Sequence, residues 1–265
     1  MKKTSLILLI MTYLFIVIGC SAPGKIVVNV LFPAGAPAVA VAKMIVEEKE
    51  LDNSSFAFQI SYGSDPLAVG FTSGSHDIIL APTNMGANIY QKKSDYVLAG
   101  VFFWGSNYII AKKDYNIKSV KDLSGHTILA FGQNATPDAV LQTVLHHHGV
   151  MDNVTIEYVL DVTTAMQLFV NQSKTIILTS EPQLTQLNIS FDFDVIDLQQ
   201  EWLDMTGYHG YPQVGIFVKK SALQTKETII GQFLDRLDSD IEWMYEHPEV
   251  YAEIAVGADD TLGRM

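Results

Sequence analysis

Residues 76–91 read HDIILAPTNMGANIYQ, an apolar run that stops at a proline and turns into a polar, helix-forming stretch. Ile78, Ile79 and Leu80 are consecutive, as in a strand whose two faces are both covered. The pattern predicts a strand over 76–81 and a helix over 83–91. Thr83 and Asn84 fall where the first becomes the second. Small polar residues there have two readings: they cap the helix, or they reach a ligand at the strand end.

Outward from this stretch, strands and helices alternate. Strands are expected at 25–31, 56–62 and 96–103, and helices at 36–50 and 65–72. Short loops between such elements indicate a mostly parallel sheet covered on both faces. The pattern then repeats, with a strand at 127–131 and a helix at 137–148. That helix has Thr136 as its cap, Pro137 at its first position, Asp138 in its first turn and Gly149 beyond its end. A strand at 155–160, a helix at 163–170, a strand at 175–178, a helix after Pro182 and a strand near 193–198 follow. FQISYGSDPLAVGFTSGSHDIILAPTN and IEYVLDVTTAMQLFVNQSKTIILTSEP share one order of elements, so two lobes of similar build are expected. NYIIAKK and VGIFVKK read as β-runs that cross between the lobes. The second leads into a long helix at 228–245.

The 265 residues are 48% hydrophobic and 17% charged, enough for a sizeable core in one large domain or two lobes. A net charge of −12 with no basic stripe argues against nucleic acid as a partner. Lys2 and Lys3 precede an apolar run, Ser5 to Ile18, that is short for a membrane span and ends at Gly19-Cys20. These residues resemble a bacterial lipoprotein signal, although Val17 stands where that pattern prefers Leu. The resemblance implies lipidation of Cys20, a signal over 1–19, a tether over 20–25, and an exported protein anchored on the membrane. Cys20 is the only cysteine, which excludes internal disulfides and multi-cysteine metal sites. His146-His147-His148 invites a metal reading, but neighbouring helical residues point about 100° apart and cannot converge on one ion. No metal, cofactor or catalytic residue is expected.

LFPAGAPAVAVAKMI, HDIILAPTN, IKSVKDLSGHTILAFGQNATPDAVLQTVL and TIILTSEPQLTQL together resemble type II periplasmic substrate-binding proteins of ABC importers. The resemblance is narrowest to the nitrate/taurine/sulfonate and thiamine-precursor (NMT1/THI5-like) group. It implies an α/β fold of two lobes, each a mostly parallel sheet flanked by helices and joined by two crossing strands. Lobe 1 is expected over 26–107 and 214–265, and lobe 2 over 108–213. The implied partners are a small solute and a membrane permease, with the receptor itself a monomer. The chain ends at Met265, earlier than is usual in the group, which marks a short member or a truncated reading frame.

Ligands of open parallel sheets bind beyond the carboxyl ends of strands, where helix starts offer unpaired N–H groups. That logic selects Phe32, Gly35, Ala36, Tyr62, Ser64, Thr83 and Asn84 on one lobe. On the other it selects Asn134, Ala135, Thr136 and Glu181. Trp104, Tyr208 and Tyr211 are added near the crossings. Trp104 is either a flat wall for a planar ligand or core packing. The only arginines are Arg236 and Arg264, so no candidate loop offers a bidentate clamp for an anion. Glu181 offers an acceptor to an amino group or protonated ring nitrogen. A planar nitrogen heterocycle, such as a pyrimidine, is therefore favoured over a sulfonate, nitrate or bicarbonate. The alternatives are an enzyme on the same fold, of pyrimidine- or menaquinone-pathway type, and a surface lipoprotein without a transport role.

Overall fold

The stretch at 76–91 becomes strand β3 (Ile78–Pro82), followed without a gap by a helix from Thr83 to Lys92. Alternate side chains of β3 serve two cores, which explains the unbroken apolar run. Ile78 and Leu80 pack on one side of the sheet with Val30, Phe32, Phe233 and Leu237. Ile79 and Ala81 pack on the other side with Leu31, Leu67, Phe71 and Phe217.

A computed structural model describes residues 26–50, 55–172, 175–187 and 192–262. The expected signal, the tether, Cys20 and Arg264 lie outside the described residues. The first sheet also contains β1 (Val28–Pro33), β2 (Phe56–Ser61), β4 (Tyr96–Trp104) and β10 (Pro212–Lys219), in the order β2-β1-β3-β10-β4. The second comprises β5 (Asn107–Lys112), β6 (Thr127–Ala130), β7 (Thr155–Tyr158), β8 (Ile176–Ser180) and β9 (Phe193–Asp197), in the order β7-β6-β8-β5-β9. In each sheet the first three strands are parallel. The late strand of the first sheet, β10, runs antiparallel to β3 and β4, and β5 runs antiparallel to β8 and β9. Both sheets are therefore mixed rather than purely parallel.

The helices cover both faces of each sheet. They are α1 (Ala36–Val39), α2 (Ala42–Glu50), α3 (Ser64–Ser73), α4 (Thr83–Lys92), α5 (Thr136–His147), α6 (Val162–Asn171), α7 (Gln183–Leu187), α8 (Leu198–Thr206), α9 (Lys220–Glu246) and α10 (Pro248–Leu262). The two stretches of like pattern fold alike, as β2-α3-β3 and β7-α6-β8. In the second, Ile176 and Leu178 join one core while Ile177 joins the other, the same division of labour as in β3. Gly86 lets α4 lie directly on the sheet: a Cβ there would stand 2.0 Å from the Phe217 ring.

Three expectations are corrected. The helix expected at 36–50 is two helices, because Ala40 and Val41 separate α1 from α2. The long helix begins earlier, at Lys220, and bends at Lys226, whose ammonium bonds the Asp77 carboxylate at 2.8 Å. Helix α8 was not expected at all.

The two β-runs expected to cross between the lobes lie within the sheets, as β5 of the second and β10 of the first, and the chain passes between the lobes at two places just before them. Gly105 and Ser106 carry β4 into β5, and residues 207–211 return from α8 to β10. The two links are tied together, since the Gly105 N–H donates to the Tyr211 carbonyl at 3.1 Å.

Candidate ligand-binding cleft

The strand directions bring the ends of β1, β2, β3 and β4 and the start of β10 to one edge of the first sheet. The ends of β6, β7, β8 and β9 and the start of β5 form the matching edge of the second. The loops at these edges face each other, and a row of side chains can be read across them.

At the centre of the row the lobes touch. Asn84, in the first turn of α4, donates through Nδ2 to the Asn134 carbonyl at 3.0 Å. Its Oδ1 lies 3.1 Å from Thr136 Oγ1, which is also 3.3 Å from the Gln213 carbonyl. Thr83 Oγ1 donates to the Pro212 carbonyl. Neither residue caps α4: its N-cap position is Pro82, and no side chain caps it. The capping reading of this pair is therefore corrected, and both side chains instead bond groups far away in sequence. Thr136 is likewise not a cap. It is the first helical residue of α5, after Ala135 at the N-cap position.

Asp138 holds the loop before α5. One carboxylate oxygen accepts the Asn134 N–H at 2.9 Å, and the other accepts Tyr158 O–H at 2.6 Å and Gln142 Nε2 at 2.7 Å. Burial, reinforced by the Asp138 carboxylate, pushes the Tyr158 phenol up to about 12, so it remains a donor at neutral pH. Asn134 is fixed with a positive φ of 63°, which turns its carbonyl toward Asn84.

Beside this contact runs a buried hydrogen-bond network. Asn107 donates its N–H to Gln199 Oε1 at 2.8 Å, and its Nδ2 to Tyr211 Oη at 2.9 Å and Gln213 Oε1 at 3.1 Å. Tyr211 Oη donates to Gln199 Oε1 at 2.7 Å. Burial raises the Tyr211 phenol far above its ordinary value, which keeps that donor protonated. The network therefore joins β5, α8 and β10, three of the four elements that flank the two links.

The remaining expected residues divide by place. Gly35, Ala36, Tyr62 and Ser64 stand beyond β1 and β2, where the Ala34 N–H bonds the Ser61 carbonyl at 2.9 Å. Glu181 follows β8, and its carboxylate accepts the Thr185 N–H at 3.1 Å, within the first turn of its own helix. Phe32 and Tyr211 are corrected: both are core residues, 0% and 1% exposed, so neither presents a ring to a ligand. Ala135 is buried at the start of α5.

Trp104 and Tyr208 do share a pocket. They are 55% and 72% exposed, and they line a cavity of about 580 Å³ with Trp202, His209, Gly210 and Pro212. Trp202 was missed because its helix was missed. The signals were present: Asp197 accepts the N–H groups of Gln199 and Gln200, Glu201 lies in the first turn, and Gly207 ends the helix with φ 77°. Gln199 was missed for a different reason, since nothing local marks a polar residue that will be buried against another segment.

Among the described residues, no cluster of His, Cys, Asp or Glu is placed to hold a metal ion, and no helix is long and apolar enough to cross a membrane. Arg236 lies away from the strand ends, paired with Glu47 and Glu48.

Comparison with known proteins gives one family match. The model of the family described as NMT1/THI5 like matches residues 96–250. A search of curated proteins finds no match. Solved structures show the same fold. The periplasmic aliphatic sulphonate binding protein SsuA from Escherichia coli superposes with a TM-score of 0.69 at 14% identity, over 91% of this chain and 80% of that one. An ABC transporter protein from Parabacteroides distasonis gives 0.66 at 20% identity, over 86% and 77%. SsuA from Xanthomonas axonopodis pv. citri, bound to MOPS, gives 0.67 at 14% identity, over 92% and 86%. The fold is thus that of the periplasmic binding proteins, with two mixed sheets flanked by helices.

Proposed function

The chain belongs to the NMT1/THI5-like family, and on that premise we propose that it is the solute-binding component of an ABC importer rather than an enzyme. The lobes, residues 26–104 with 212–262 and residues 107–206, close on a small molecule, and the closed form docks on a membrane permease. The observation that carries this reading is the meeting of two helix starts across the cleft, Asn84 of α4 with Asn134 and Thr136 at α5. A fold whose lobes touch through a few polar bonds can exchange them for solvent and reopen. A solute that contacts both lobes then shifts the balance toward closure.

The solute we favour is a small planar nitrogen heterocycle of the pyrimidine kind over a sulfonate, nitrate or bicarbonate. The strand ends hold exposed aromatic rings, and Arg236 is engaged elsewhere. The solved relatives that bind sulfonates keep that class in the test. Export and anchoring through a lipidated Cys20, with the receptor acting as a monomer, complete the proposal; support for the anchor rests on the sequence around Gly19-Cys20.

The test is native mass spectrometry of the soluble form beginning at Ser21, purified without refolding. A co-purified small molecule is the expected result, and its mass assigns the class. An empty protein that also shows no thermal shift with pyrimidines, sulfonates, nitrate or bicarbonate would overturn solute capture.

A further inference from the structure

The row of strand ends in the first lobe runs β2, β1, β3, β10, β4. The polar contact of Asn84 lies at β3, in its middle, whereas the pocket of Trp104 lies at its far end, on β4. The pocket is built from three separate segments: the end of β4, the second turn of α8 and the 207–212 return. Its walls are fixed from behind. The Trp202 ring meets Tyr211 edge to face, with centroids 5.4 Å apart, and Tyr211 is locked by Asn107 and Gln199. Gly105 allows the chain to pass over that ring, since a Cβ there would stand 3.0 Å from it.

Large aromatic rings seldom stand exposed together without a purpose. Trp104 and Tyr208 do so around a volume of about 580 Å³, within the roughly 300–1,000 Å³ usual for small-molecule sites. The lining holds no lysine, arginine or carboxylate. His209 is the one lining side chain that could meet an anionic group, whereas a neutral planar ring would find aromatic faces and edges on three sides.

We infer that the Trp104–Trp202–Tyr208 pocket is a ring-binding site at the β4 end of the cleft, with Trp202 and Tyr208 determining specificity for a neutral planar ring. This rests on the solute-capture reading and assigns recognition of the ring to residues away from the helix starts. Asn84, Asn134 and Thr136 then act on closure, because their side-chain and carbonyl groups are already engaged with each other.

The experiment is calorimetric titration of the full soluble chain with cytosine, nicotinamide and indole, with ethanesulfonate as the ringless anion. It is run on the parent and on Tyr208→Ala, Trp202→Ala and Trp202→Phe, each checked by circular dichroism. Tryptophan emission is followed in a Trp243→Phe background, so that the signal comes from Trp104 and Trp202. At least one ring should bind and change the emission. Its affinity should fall roughly ten-fold in Tyr208→Ala and Trp202→Ala, and largely persist in Trp202→Phe. Ring binding unchanged in both alanine variants would overturn the inference, as would a parent protein that binds none of the three rings. If that parent binds ethanesulfonate, or carries a solute in the mass spectrum, solute capture survives and only the pocket assignment falls.

Discussion

The middle and the far end of the cleft edge are built from opposite materials. At β3, Asn84 uses both ends of its amide on the opposite lobe, and Thr83 and Thr136 are bonded to β10. At β4, Trp104, Trp202 and Tyr208 surround open space with almost nothing polar among them. A saturated polar seam has little capacity left for a ligand, but it sets how firmly the lobes hold each other. An open aromatic pocket does the reverse, since it contributes nothing to closure until something fills it. The contrast teaches that closing and recognising can be assigned to different residues of one cleft. Experiments that disturb one region and leave the other alone can break that division.

The largest effect is expected where the two regions share a support. Asn107 is fully buried and holds Tyr211 and Gln213 together, so it braces both the seam and the back wall of the pocket. Asn107→Leu removes both side-chain bonds and leaves Gln213 Oε1 without that donor. A loss of about 2–3 kcal/mol is expected, read from the urea midpoint, together with altered Trp202 emission. A variant as stable as the parent would show that the network is not the joint between the regions.

Asn84→Ala should act on the seam alone. Two neutral hydrogen bonds contribute about 1–3 kcal/mol to the closed form, so ligand-free protein should shift measurably toward an open state. Small-angle scattering checks this: the radius of gyration should rise in the variant, and a ring ligand should bring it back. Identical scattering curves for parent and variant would mean that the seam does not hold the lobes. Its effect on unfolding should be smaller than that of Asn107→Leu, because Asn84 is only partly buried.

Much of this architecture was legible in the sequence, and the reasons are physical. Ile78-Ile79-Leu80 and Ile176-Ile177-Leu178 announce strands buried on both faces, because every residue of such a strand must be apolar. The two matching stretches disclosed a repeated unit, and each unit has the same strand order. Helix α8 escaped because its polar Gln199-Gln200-Glu201 run follows directly on a strand, so only Asp197 and Gly207 mark its ends. Thr136 and Tyr211 were misread for a common reason. Thr136 sits before a proline like a cap, and Tyr211 sits between Gly210 and Pro212 like an exposed loop residue. Each was claimed by a partner about 75 or more residues away, Gln213 for one and Asn107 for the other, and local pattern carries no trace of such pairing.

The smallest effect on stability should belong to Tyr208, and that smallness makes it the sharpest probe of the division. Its side chain is largely in solvent and stands in a return loop rather than in either core. Tyr208→Ala therefore removes little buried surface, and a change within about 0.5 kcal/mol is expected, as for other exposed substitutions. Trp202→Ala should cost more, because its ring packs against Tyr211 and the second-lobe core. If the two regions are independent, Tyr208→Ala leaves the urea midpoint and the ligand-free scattering unchanged while ring affinity falls. If instead it opens the lobes as Asn84→Ala does, pocket and seam are one coupled surface. Ring recognition would then be inseparable from closure, and the division drawn between them would not hold.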